Sequence, residues 1–116
     1  MSVLIVLTTV GCEEQANLIA DELVVRRHAA CVNMIPVGRT VYRWQGRVFD
    51  DNEFLLMAKT TEEEYEKVEA TIKELSTYEL PEILAFEVKR GEASFLEWIA
   101  ASLDKEADFS DEVEPR

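Results

Sequence analysis

The sequence predicts an α+β fold: an antiparallel four-stranded sheet with its two main helices on one face. Three observations predict it. Strand-type and helix-type patterns follow one another in the order βαββαβ, with a short helix at the end. The first strand and the inner half of the third are apolar on both faces, which marks them as central. A length of 116 residues is that of one domain, and such a chain buries roughly 65% of its unfolded surface without disulfide or metal staples.

Residues 3–9 (VLIVLTT) are an unbroken apolar and β-branched run closed by Gly11, as in a strand buried on both sides. From Glu13 the period changes. Ala16, Ile19, Ala20, Leu23 and Val24 recur at helical spacing, with acids early and Arg26, Arg27 and His28 late, a charge order that suits the helix dipole. Residues 31–35 are strand again; Pro36 and Gly38 interrupt them, and residues 40–44 resume before a turn at Gln45-Gly46. The second strand is therefore long and kinked, or broken in two.

Residues 48–59 return as the third strand, polar through Asp50-Asp51-Asn52-Glu53 and apolar from Phe54 to Ala58. Thr61 with Glu64 three residues on reads as a capping box, and Tyr65, Val68, Ile72 and Leu75 form the inward stripe of the second helix. The acids Glu62, Glu63 and Glu64 read as a solvated helix N-terminus rather than a metal site. After an irregular stretch ending near Pro81, residues 83–88 give the fourth strand, and Phe95, Leu96, Ile99 and Leu103 mark the last helix. This order is the ferredoxin-like arrangement, with a long bent hairpin made by its second and third strands. Two helices cover only one face of the sheet. The other face would forfeit roughly 25 cal/mol per Å² of apolar area left in water, so it is expected to be buried against further copies of the chain.

The formal net charge is -12. It opposes nucleic acid and anionic membranes as partners and favours cationic or neutral ligands. Residues 1–103 form the domain. Residues 104–116 hold six acids against two bases, with Phe109 and Val113 as their large apolar side chains. They are expected to be a mobile, dispensable tail. The apolar run at the N-terminus follows no basic region and is too short to span a bilayer, and two isolated cysteines fit reduced thiols, so the expected compartment is the cytoplasm.

Cys31, where the second strand begins, is either a thiolate ligand for a soft or borderline metal such as Cu(I) or Zn, or a small buried hydrophobe. Cys12 has Glu13 and Glu14 beside it and is expected to be unreactive. His28 is the only histidine. Near a helix C-terminus its protonated form gains from the dipole, which suits it better than a metal site. One histidine supplies no nucleophile and base pair, so no enzyme is expected. The ferredoxin-like order is shared with acylphosphatases, but residues 8–14 (TTVGCEE) offer no basic anion cradle; it is shared with RNA-recognition modules, but no basic-aromatic strand is present.

Several motifs stand in order along the chain: residues 30–36 (ACVNMIP), 42–46 (YRWQG), Lys59-Thr60, 78–83 (YELPEI) and 95–99 (FLEWI). Over residues 3–103 the chain resembles the CutA family of divalent-cation tolerance proteins. That resemblance implies a homotrimer, similar in architecture to PII-like signalling proteins, whose sheets pack around a threefold axis while the long hairpins reach across to neighbours. It implies a binding or regulatory role in tolerance of, and response to, divalent metal ions, copper among them. It also implies a cleft pattern made of Asn33, Tyr42, Trp44, Glu53, Lys59, Tyr78, Glu79 and Glu82. These residues either frame a metal-ion or small-ligand pocket between subunits or fasten the trimer through their aromatics, and the two roles are compatible. Many members carry a cysteine where this chain has Thr8, and a His-Pro-Tyr motif where it has Ser76-Thr77-Tyr78. No cofactor follows from the residues themselves; copper or another divalent cation is implied by the resemblance alone, and without those donors it is expected to bind weakly, with Cys31 contributing.

Overall fold

A computed structural model describes residues 1–116. Four strands, β1 (Val3–Val10), β2 (Cys31–Trp44), β3 (Arg47–Thr61) and β4 (Leu84–Glu87), form one sheet in the order β2-β3-β1-β4. Every pairing is antiparallel. Three helices, α1 (Glu13–Val25), α2 (Tyr65–Leu75) and α3 (Ala93–Ser102), complete the chain, so the predicted α+β order holds.

Strand alternation divides the sheet into two unlike faces. Leu4, Val6 and Val10 of β1 and Leu56 and Ala58 of β3 point to one side, where they meet Ala16, Ile19 and Leu23 of α1 and Val68 and Ile72 of α2. A second cluster joins Val3 and Ala30 to Ile99 and Leu103 at the end of α3. The intervening residues occupy the opposite face. Register places Ile5 between Lys59 and Phe86, Leu7 between Met57 and Leu84, and Leu55 between Ile35 and Thr9. α1 and α2 lie on the other side, and α3 packs on this face at Val3; Ile35 stays 41% exposed, Leu84 51% and Phe86 54%.

β2 and β3 run on past the end of β1, since β1 pairs with β3 only between residues 54 and 61. The remainder, residues 47–53 with their partners, projects as a two-stranded arm about 20 Å long. Its two-residue turn places both Gln45 (φ 51°) and Gly46 (φ 79°) in the left-handed region, the pattern of a type I′ hairpin. The predicted kink in β2 is a bulge: Val37 pairs with Glu53 but Thr40 with Asp51, so one extra residue is absorbed between them. Pro36 is tolerated beside it because β2 is an edge strand.

Three local expectations are corrected. Thr61 makes no side-chain cap; Glu64, instead of closing a capping box, is 7% exposed and pairs with Lys105, and more distantly (3.7 Å) with Lys67. His28 does not act as a protonated helix-end cation. Its Nδ1 lies 2.9 Å from the Thr71 hydroxyl, and burial, with Lys105 nearby, pushes the imidazole below its usual value. Val24 drops out of the inward stripe of α1, at 40% exposed, and Gln15 takes a buried place where it accepts from Thr77 N.

Residues 104–116 form no helix or strand. Their first half nonetheless contacts the domain. Arg27 donates to the carbonyls of Asp104 (2.9 Å) and Ala107 (2.8 Å), and its guanidinium lies 4.7 Å from the centre of the Phe109 ring.

Candidate functional site

The largest gathering of the sequence-predicted residues lies where the projecting arm leaves the sheet. Period two on β2 puts Thr40, Tyr42 and Trp44 on one side, and β3 contributes Glu53. The segment after α2 then crosses the end of β1, bringing Tyr78, Glu79, Leu80 and Glu82 to the same place. That crossing is close: a Cβ at Gly11 would sit 3.3 Å from the Tyr78 hydroxyl oxygen. Together with Thr9 and Arg43 these residues line a cleft of about 340 Å³.

Polar contacts hold its walls. The Tyr78 hydroxyl donates to Glu53 Oε2 at 2.6 Å, and Glu53 is 7% exposed. Burial first, then this bond and the charge of Glu53, pushes the Tyr78 phenol well above its ordinary value. Tyr42 donates to Asp51 across the arm, which raises the Tyr42 phenol as well, and its ring stacks on Phe49 with centroids 5.9 Å apart. The guanidinium of Arg43 is turned to the carbonyl of Gly46 at 3.1 Å. Ser76 Oγ accepts from Tyr78 N, fixing the start of the loop.

Of the predicted cleft residues, Tyr42, Trp44, Glu53, Tyr78, Glu79 and Glu82 are brought together. Asn33 and Lys59 are not. Lys59 lies six residues along β3 from Glu53, about 20 Å away along the strand, and donates to the Asn33 side chain on the uncovered sheet face. Cys31 is opposite Lys59 on that face, half-buried, and both cysteines are free. Thr9, Thr40, Arg43, Leu80 and the Tyr42 partner Asp51 were not singled out from sequence. Thr40 was findable, since it continues the Tyr42/Trp44 period. Asp51 depends on hairpin register, which the bulge shifts.

Thr8 faces the helices, 2% exposed, and its hydroxyl has no hydrogen-bond partner. A thiol there would enter the helix-side core, on the other side of the sheet from Cys31. No three His, Cys, Asp or Glu side chains of the chain converge as a metal site.

With this geometry in hand, a family profile described as "CutA1 divalent ion tolerance protein" matches residues 4–102. The chain belongs to the CutA1 family. The divalent-cation tolerance protein CutA of Thermus thermophilus is 44% identical over 95 residues, which is 82% of this chain and 92% of the relative. The solved structure of that CutA1 superposes with a TM-score of 0.81 at 43% identity, over 84% of this chain and 94% of the other. CutA from Xylella fastidiosa superposes with a TM-score of 0.87 at 32% identity, over 90% of this chain and all (100%) of the other. Rice CutA 1, named chloroplastic, is 34% identical over 85% of this chain but only 56% of its own length. The family match stops short of the residues after Leu103 that reach Arg27.

Proposed function

We propose that this chain is a homotrimeric binding and regulatory protein of divalent-cation tolerance, without enzymatic turnover, whose ligand clefts lie near subunit boundaries. One observation carries the reading: the sheet face opposite α1 and α2 exposes Ile35 at one edge and Leu84 and Phe86 at the other, where β4 is an edge strand exposed along its whole length. An apolar face of that extent beside an open edge calls for further chains. The names of the Thermus and Archaeoglobus fulgidus relatives, both divalent-cation tolerance proteins, support the cation role. Free thiols at Cys12 and Cys31 favour the cytoplasm, and no helix is long and apolar enough to cross a membrane.

Any copper or other divalent ion would draw on carboxylates of the cleft or on Cys31 with donors from a second subunit, because one chain brings no three donors together. A second reading, a small-molecule-binding trimer of the PII-like kind, is favoured by the aromatic walls of the cleft. Light scattering should give three times the chain mass. Calorimetric titration of chelator-treated protein with Cu(II), Cu(I) and Zn(II) should give weak, poorly selective binding that Cys31→Ser reduces and Cys12→Ser leaves alone. A monodisperse monomer would overturn the assembly, and a submicromolar copper site surviving both substitutions would overturn the role of Cys31.

A further inference from the structure

The cleft presents one buried carboxylate to aromatic walls without a cation to balance it. Glu53 is 7% exposed, and the protein donor it has is the Tyr78 hydroxyl on Oε2. Tyr78 is neutral, so that bond satisfies a lone pair and leaves the charge uncompensated. Arg43 is the only base in the lining, and it donates to the Gly46 carbonyl instead. Lys59 is committed to Asn33 some distance along the strand. A buried carboxylate with no counter-charge is costly, and a bound cation would relieve it.

The chemistry of the lining selects among cations. A metal dication needs several oxygen, nitrogen or sulfur donors around one point, and no three such side chains converge. An organic ammonium needs less: one carboxylate for its charge and the electron-rich faces of aromatic rings for its alkyl groups. Tyr42, Trp44 and Tyr78 supply the rings, and about 340 Å³ is room for a small molecule rather than a bare ion. Glu79 and Glu82 at the rim, within a chain of net charge -12, add attraction over distance. We propose that this cleft binds a small organic ammonium ion, with its charge at Glu53 and its alkyl groups against Tyr42, Trp44 and Tyr78. The proposal rests on the reading of the cleft as a ligand site and names the ligand class.

The test compares choline with 3,3-dimethylbutan-1-ol, its uncharged isostere, by calorimetric titration of the full chain in its solution assembly. Choline should bind at least about tenfold more tightly, the ratio expected when a cation meets desolvated rings and a carboxylate. Glu53→Gln keeps an acceptor for Tyr78 and removes the charge; it should erase the preference while leaving the mass unchanged and the melting temperature no lower. Trp44→Leu, on the projecting arm, is a second arm independent of Glu53 and should weaken choline more than the alcohol. Equal binding of the two probes, choline binding untouched by both substitutions, or no choline binding at all would each overturn the proposal. A parallel titration with Zn(II) separates the two levels. Zinc binding lost in Glu53→Gln without any choline binding would leave the cleft a cation site of another class, and loss of neither would overturn the ligand cleft as well.

Discussion

Tyr78 and Glu53 stand 25 residues apart in sequence, yet their side chains share a 2.6 Å hydrogen bond that ties the loop after α2 to the base of the projecting arm. The bond explains why the loop lies so close over Gly11. Tyr78→Phe leaves the buried Glu53 carboxylate without its donor and should cost about 1–3 kcal/mol in denaturant unfolding. The pH dependence has a definite sign. The folded phenol is raised above the ordinary tyrosine value of 10.0, so its stabilisation is complete below that pH and is lost as pH rises through the folded value. Tyr78→Phe should therefore lose less stability above pH 10 than the parent does.

His28 titrates in the other direction. Burial and Lys105 lower it from the ordinary value of 6.5, against the opposing pull of Glu64, with Arg26 and Lys67 adding small lowering effects. The unfolded chain then binds the proton first, so stability should fall as pH drops below 6.5 and level off below the folded value. As the only histidine, it gives a single imidazole signal whose NMR titration midpoint should lie below 6.5.

The Thr8 hydroxyl is buried among apolar neighbours with no partner. Thr8→Val keeps the shape and removes the desolvated group, so it should stabilise the protein by about 1 kcal/mol. A loss of stability in thermal unfolding would mean that the hydroxyl is satisfied in solution.

Phe86 is 54% exposed on the uncovered sheet face, beside Ile5. Phe86→Lys should leave the far-ultraviolet circular dichroism of the chain intact while moving the light-scattering mass from that of the proposed trimer toward that of a monomer. An unchanged mass would show that assembly uses another surface.

The final segment divides into two parts. Truncation after Ser110 removes residues beyond the Arg27 contacts and should leave the melting temperature unchanged. Truncation after Leu103 also removes the Lys105–Glu64 pair and the seat of Phe109 on Arg27, and should lower stability by about 1 kcal/mol. Equal melting temperatures for both would restore the composition-based expectation that the whole tail is dispensable.

The α+β class, the order of elements, the doubly apolar central strands and the aromatic pair Tyr42/Trp44 were legible before folding, because each is written in local periodicity that survives whatever the chain packs against. The family was legible too, through ordered motifs rather than any single residue. Which residues meet was settled by the fold. It separated Lys59 and Asn33 from the cleft, since six residues along a strand carry a side chain about 20 Å away; it joined Tyr78 to Glu53, and it put Glu64 and His28 into partly buried networks where helix-end rules predicted solvated charge. A bulge between Val37 and Thr40 shifts the hairpin register by one residue, and one residue is enough to move a side chain to the other face. Long-range partnership of this kind depends on register and on loop paths, and neither leaves a periodic trace in the chain.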